Sequence, residues 1–278
     1  MTDSEARKLI KTDKQIEGSE VFTLDSRKVD EQYTIRVFLP YSYEDEGKSF
    51  PVMYLFDSDR SFGMAETSLS YLNLGLNFGM GKNVPEMIIV GIGYERGLIP
   101  WLFTRVRDFT PSEDSSFNYN NPNFQIPESG KADDFLEFLR DELIPLIENT
   151  YRVDPSLKIA ASHSMSGLFC LYSVISYPGL FQKAIIGSPF VGWDNKYLFN
   201  CEEEFSKTHD ALPLKAYFSV TGGEPTPDYI EEVRDFVKTL KGRNYKSLEV
   251  ELCDYPEENH FSSWPKVFSD GLIYLFNS

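Results

Sequence analysis

Ser164 lies in the pentapeptide Ser162-His163-Ser164-Met165-Ser166, between an apolar run ending at Ile159-Ala160-Ala161 and a second from Met165 to Tyr177. A small-x-Ser-x-small pentapeptide between strand and helix is the pattern of a nucleophile elbow, a sharp turn that lifts the serine hydroxyl to the end of a sheet. A serine hydroxyl is a weak nucleophile until an imidazole takes its proton, so a histidine and an orienting carboxylate are required. Of the histidines downstream, His209 sits in the polar segment Lys207-Thr-His-Asp and reads as a solvated surface residue. His260, in Pro256-Glu-Glu-Asn-His-Phe-Ser-Ser between the last strand and the last helix, reads as the base. Two carboxylates compete for the acid. Glu224 follows the turn Thr221-Gly-Gly, and Asp228, four residues on, also reads as a helix cap. Charge developing on the substrate oxygen needs backbone N–H donors, each worth about 2.7–4 kcal/mol when well placed. Met165 supplies one, and the segment Phe56-Asp-Ser-Asp-Arg supplies the other at Asp59 or Ser58.

The elements that must hold these residues follow from hydrophobic period. Val21–Leu24 and Gln32–Leu39 alternate as paired strands. Pro51–Phe56, Met87–Ile92, Lys158–Ala161 and Lys183–Gly187 are short apolar runs of the kind covered on both faces. Leu214–Val220 and Leu248–Leu252 complete eight strands. Phe135, Leu139, Leu143 and Leu146 fall at helical spacing, with Pro145 bending the last turn. Ile230, Val233, Val237 and Leu240 form a second stripe between Asp228 and Gly242, and Phe268, Leu272 and Leu275 a third after Ser262 or Ser263. Met165–Tyr177 is apolar all round and is expected as a buried helix. Strands alternating with helices imply an α/β fold, a mostly parallel eight-stranded sheet with helices on both faces, in one domain over residues 1–278. Residues 1–18 are expected to be peripheral, and 95–130 and 190–213 to be irregular aromatic-rich loops near the site.

Composition narrows the partners. With 27 Lys+Arg against 43 Asp+Glu the formal charge is −16, which disfavours nucleic acid and anionic membrane surfaces. The 3 cysteines are widely spaced and the 3 histidines do not cluster, so neither a disulfide framework nor a metal site is expected, and no cofactor is called for. No apolar run is long enough to span a membrane, and no signal-peptide pattern opens the chain, so a cytoplasmic protein acting on a small-molecule ester is expected.

The motifs as an ordered set resemble the esterase D-like, enterochelin esterase-like branch of the α/β-hydrolase superfamily. Leu55-Phe-Asp-Ser-Asp is similar to its Leu-Leu-Asp-Gly segment, and Thr104-Arg-Val-Arg-Asp-Phe-Thr-Pro to its Arg-x-x-Asp-x-Thr-Pro stretch. Ser129–Glu148 resembles its helix before the elbow, and Ser162-His-Ser-Met-Ser-Gly-Leu-Phe its Gly-His-Ser-Leu-Gly-Gly-Leu-Phe. Ser188-Pro-Phe-Val-Gly-Trp193-Asp and the His260 segment extend the likeness over residues 20–276. The resemblance implies a serine esterase with Ser164, Glu224 and His260 as triad and Met165 and Asp59 as oxyanion donors. Three departures stand out. Ser162 and Ser166 replace elbow glycines, Ser58 replaces the oxyanion-loop glycine, and Pro256-Glu-Glu-Asn-His departs from Gly-Glu-Asp-His.

Other readings fit less. Asp57-Ser-Asp59-Arg-Ser61 resembles the Asp-x-Asp-x-Thr motif of haloacid-dehalogenase-type phosphatases, but no later Gly-Asp-x-x-x-Asp pair follows. Gly91-Ile-Gly-Tyr-Glu-Arg begins like a dinucleotide fingerprint and fails at Arg96. A binding module with a vestigial elbow is the non-enzymatic alternative. For the substrate, Trp193 suggests an apolar or aromatic group, and Arg105 and Arg107 an anionic one, with an ion pair to Asp108 as the competing role for Arg107.

Overall fold

The computed structural model describes residues 16, 18–118, 121 and 125–277. The expectation for residues 1–18 lies almost wholly outside them, as does Tyr119 of the 95–130 segment. The eight expected strands are all present: β1 (Ser19–Asp25), β2 (Gln32–Phe38), β3 (Phe50–Leu55), β4 (Ile88–Gly93), β5 (Val153–His163), β6 (Lys183–Gly187), β7 (Ala211–Gly223) and β8 (Lys246–Asn259). They form one sheet in the order β1-β2-β4-β3-β5-β6-β7-β8. β2 pairs antiparallel with β1 and β4, and the remaining pairings are parallel. The carboxyl ends of β3 to β7 therefore open on one edge, and each feeds a turn that contributes to the site.

Helices α1 (Ser58–Asn77) and α8 (Trp264–Phe276) cover one face of the sheet, burying Phe62, Ala65, Leu69, Phe268, Leu272 and Leu275 against Met53, Leu55 and Ile185. On the other face lie α2 (Leu98–Phe109), α3 (Ala132–Phe138), α4 (Ile144–Thr150), α5 (Met165–Ser176), α6 (Trp193–Ser206) and α7 (Tyr229–Arg243). α5 is buried along nearly its whole length, which is why its residues carry no polar face. A π-helical turn, Leu139–Leu143, joins α3 to α4. Ile144 N–H donates to Leu139 O there, and Pro145 sits at the start of α4, where its missing N–H costs least. α7 passes Gly242 and ends on Asn244, whose φ of 54° makes the left-handed C-cap.

Two expected loops are corrected. Residues 95–130 contain α2, whose buried face carries Thr104, Arg105 and Asp108 beside Val106 and Phe109. Polar residues at core positions erase the apolar period from the sequence. Residues 190–213 contain α6 and the start of β7. In α6 the stripe Leu198, Glu202, Phe205 is helical, but Glu202 is a fully buried acid paired with Arg243 (2.9 Å) and Tyr245 (2.7 Å). The first turn of α6 is left-handed at Asp194, Asn195 and Lys196, with φ of 43°, 52° and 66°.

Candidate active site

β5 ends at His163 and α5 starts at Met165, so Ser164 makes the turn alone, with φ 63° and ψ −120°. That conformation costs an L-residue about 1–3 kcal/mol and persists only when its surroundings impose it. Here Ser164 N–H donates to Gly187 O (2.8 Å), and Ser164 O accepts from Phe190 (3.1 Å) and Leu168 (3.2 Å). Close packing adds to the constraint. A Cβ on Gly167 would lie 2.9 Å from the Pro189 side chain, and one on Gly187 2.9 Å from the His163 ring. The two serines in place of glycine are fully buried and bonded within the elbow. Ser162 Oγ donates to Ile185 O (3.1 Å), while Ser166 Oγ donates to His163 O (2.9 Å) and accepts from His163 N–H (3.0 Å). Serine at these positions replaces backbone freedom with side-chain hydrogen bonds.

Glu224 and His260 meet across the ends of β7 and β8. His260 Nδ1 lies 2.6 Å from Glu224 Oε2, with both side chains almost fully buried. The other oxygen, Oε1, accepts from Thr221 N–H (2.8 Å), Thr221 Oγ (2.8 Å) and Ser188 Oγ (2.7 Å). Burial works to raise the Glu224 carboxyl, but the bonds from His260 and Ser188, the His260 charge and the Thr221 bonds together hold it below the usual carboxylate range. Asp228, the rival acid, is exposed at the N-cap position of α7 and makes no side-chain capping bond there. His260 N–H donates to Gly223 O (3.0 Å), and Asn259 Oδ1 accepts the N–H groups of Phe261 (2.9 Å) and Ser262 (3.0 Å). Asn259 thus closes the histidine turn with an amide oxygen.

His163 packs its ring against His260, centroids 4.7 Å apart, and against Trp264 at 5.4 Å. Burial, with the nearby His260 and Arg105 charges, pushes it well below the usual histidine range, so it stays neutral beside the base. Tyr229 is buried edge-on to His260 and stacked on Phe190 at 5.6 Å. Its hydroxyl donates to Ser188 O (2.7 Å), and burial, then the Glu224 charge, keeps it protonated. No motif in the sequence marked Tyr229, and the segment Ser188-Pro-Phe-Val-Gly-Trp193-Asp gave the Ser188 hydroxyl no role. Their part in the site comes from where β6 ends and α7 starts.

Ser164, Met165 and His260 open into a cavity of about 840 Å³. Its apolar wall is Leu98, Trp101 and Leu102 of α2 with Phe117, Phe190 and Phe261, and Arg105 faces the same space. The Arg105 guanidinium is fixed by Asp57, Nε to Oδ1 at 3.1 Å and Nη2 to Oδ2 at 2.8 Å, and lies 4.8 Å over the Trp101 ring. Asp57 itself is left-handed (φ 55°) at the N-cap of α1. Phe56 N–H donates to Ala161 O (3.0 Å), so the first turn of α1 starts beside the end of β5.

Of the remaining expected site residues, Asp59 lies in the first turn of α1 with its carboxylate engaged, while Trp193 and Arg107 stand away from the cavity. The Asp59 carboxylate accepts from Tyr94 N–H (2.9 Å) and Glu95 N–H (2.7 Å), tying α1 to the end of β4. Gly93 leaves room for it, since a Cβ there would lie 2.6 Å from Asp59 Oδ2. The glycine pair that began like a dinucleotide fingerprint is therefore a packing feature. Trp193 does not line the cavity. It is 1% exposed, donates from Nε1 to Ser112 (O 3.2 Å, Oγ 3.1 Å), and backs the wall residues Phe117 and Phe190. Arg107 faces away from the cavity, bonded to Asp108 (2.6 Å) and Glu31 (3.2 Å), so its role is the structural ion pair. His209 stacks on Phe205 at 4.1 Å, at the end of α6.

Comparison with known proteins bears on the fold and the family. Over 94% of this chain and 91% of its own length, the ferri-bacillibactin esterase BesA of Bacillus subtilis is 28% identical across 267 residues. The siderophore enterobactin esterase of Emericella nidulans is 24% identical over 285 residues, 90% of this chain and 91% of that one. The crystal structure of the BES protein from Bacillus cereus superposes with a TM-score of 0.81 at 24% identity, covering 99% of this chain and all of that one, and so shares the fold. The family described as Putative esterase matches residues 26–274, and on that match the chain belongs to the Putative esterase family, a carboxylic ester hydrolase on an α/β-hydrolase fold.

Proposed function

We propose that the protein hydrolyses siderophore-type esters, multiply charged molecules with bulky aromatic or chelating arms, through an acyl-enzyme on Ser164. The observation that carries the mechanism is the 2.6 Å pairing of His260 with Glu224 beside a strained serine turn that opens into the same cavity. Ser164 Oγ attacks the ester carbonyl as His260 Nε2 takes its proton, and Glu224 orients the ring and balances its charge. The oxyanion is met by the N–H of Met165 and by N–H groups in the first turn of α1, at Ser58–Asp59, because opening turns of helices have donors without intrahelical acceptors. His260 then protonates the departing alcohol, and water releases the acid by the reverse sequence. Support for the substrate class comes from the siderophore esters that the named relatives act on. It also comes from a large aromatic cavity carrying a fixed guanidinium.

Fluorophosphonate should label the folded protein stoichiometrically, and Ser164→Ala should abolish both labelling and turnover, with kcat down at least about 10⁴-fold. A folded protein that resists labelling would instead be the non-catalytic binder. Substrate class is tested by comparing tricatecholate or trihydroxamate triesters with feruloyl and acetyl esters. Higher kcat/KM on the small neutral esters would reject the siderophore assignment.

Arg105 gives a sharper test. Removing it alone would strand the Asp57 carboxylate, so the informative variant is Arg105→Met combined with Asp57→Asn. Its KM for an anionic triester should rise about tenfold or more, from the loss of a charge-assisted contact, while an uncharged ester is unaffected. Equal changes on both substrates would mean that Arg105 serves only to hold α2.

A further inference from the structure

The turn Gly187–Phe190, at the end of β6, touches both halves of the site. Gly187 O accepts from the Ser164 N–H, and Phe190 N–H donates to Ser164 O. Pro189 fills the space left by Gly167. Between them Ser188, fully buried with φ of 37°, is stapled to β7, its N–H donating to Ser219 O (3.1 Å) and Oγ (3.2 Å). Its carbonyl takes the Tyr229 hydroxyl at 2.7 Å, and its own hydroxyl is spent on Glu224 Oε1 at 2.7 Å. A non-glycine residue at positive φ is costly, and here hydrogen bonds to Ser219, Tyr229 and Glu224 impose it.

We infer that Ser188 is a positioning residue that sets the basicity of the triad acid: by donating to Oε1 it draws negative charge away from Oε2 and limits how tightly Glu224 holds the His260 proton. The inference rests on the esterase reading above. Oε1 has three donors and Oε2 faces His260, so the Ser188 hydroxyl is the one contact to the carboxylate delivered from the turn that also fixes the nucleophile. The other charged or titratable groups facing this pair are Tyr229 from α7, His163 from the elbow and Arg105 from α2, with Glu232 acting on Tyr229 from behind. None of them bonds to the Ser188 hydroxyl, Tyr229 reaching the Ser188 carbonyl instead.

The sign of the effect follows. Without the Ser188 donor the carboxylate is more basic, the imidazolium is better stabilised, and His260 gives up its proton at higher pH. Because the chain has 3 histidines, NMR of ring-labelled histidine can follow His260 directly, assigned by its loss in His260→Gln. Ser188→Ala and Ser188→Gly both remove the hydroxyl, but only glycine relieves the positive φ, so the two should differ in thermal stability. Both should raise the His260 titration midpoint by roughly half a pH unit and move the acidic limb of kcat/KM with it. A midpoint that stays put in both variants overturns the inference. A shift in alanine but not in glycine also overturns it, since backbone strain would then be the cause. The titration needs no substrate, so the role of Ser188 can be decided even in a protein that fails the Ser164 labelling test.

Discussion

Glu224→Gln is expected to lower kcat about 10⁴-fold with little loss of stability, whereas Asp228→Asn should leave kcat within about twofold. The reason lies in the hydrogen bonds on Oε1. Thr221 presents a backbone N–H that can only donate, and the hydroxyls of Thr221 and Ser188 converge on the same oxygen. A glutamine must therefore keep its carbonyl oxygen in that position, which turns its NH₂ toward His260 Nδ1. Two donors cannot face each other, so the imidazole moves its proton to Nε2, the nitrogen that has to receive the proton of Ser164. The side chain keeps its shape and place while the base is held in the wrong tautomer. Steady-state kinetics on any turned-over ester, with thermal melts of both variants, checks this. If Asp228→Asn carries the defect and Glu224→Gln does not, Asp228 is the triad acid.

Asp108→Ala should destabilise the fold by about 3–5 kcal/mol, the usual cost of removing one member of a buried charged network. For a protein of this size that lowers the melting temperature by roughly 10 °C. Asp108 is fully buried on α2 and accepts from Tyr33 OH (2.8 Å) and Tyr94 OH (3.1 Å) through one oxygen and from Arg107 Nε (2.6 Å) through the other. Alanine would leave two buried phenols without their acceptor and an arginine beside them; Arg107 keeps Glu31, which also binds Arg96. Asp108→Asn preserves an acceptor for the tyrosines and should cost about 1–3 kcal/mol. Because this network pins α2, surviving Asp108→Ala enzyme should bind anionic ester more weakly through displaced Arg105 and Trp101. Melts within about 1 kcal/mol of wild type for the alanine variant would show that the network is dispensable.

The strands were legible because continuous apolar runs such as Pro51–Phe56 and Lys183–Gly187 have few alternatives to a doubly covered strand. α1, α2 and α6 were not, and each for the same reason. The buried stripe of α1 includes Ser58 and Ser61, that of α2 Thr104, Arg105 and Asp108, and that of α6 Glu202. A hydrophobic period detects burial of carbon; it is blind to burial of paired polar groups. The candidate site divides the same way. Ser164 and His260 stand in local patterns, so their positions could be read one residue at a time. The resemblance pointed to Glu224 over Asp228, and β7, which runs to Gly223, leaves Glu224 in the turn and Asp228 at the next helix. Arg105 and Arg107, two residues apart on a helix, point to different sides of it, and only the partners Asp57 and Asp108 show which one reaches the cavity.

The cavity also draws unequally on the two halves of the chain. Its apolar wall from Leu98 to Phe117, with Arg105, precedes β5, whereas Ser164, Glu224 and His260 all follow it. The two groups also touch directly, Phe109 of α2 packing on Phe169 of α5 and Phe117 on Phe190, each with ring centroids 5.8 Å apart. Much of the wall and the proposed catalytic group thus lie in separate stretches of polypeptide, with Phe190 from the Ser188 turn and Phe261 from the histidine turn completing the wall. A chimera carrying a relative's residues 98–118 is expected to shift the range of esters accepted while leaving Ser164, Glu224 and His260 in place.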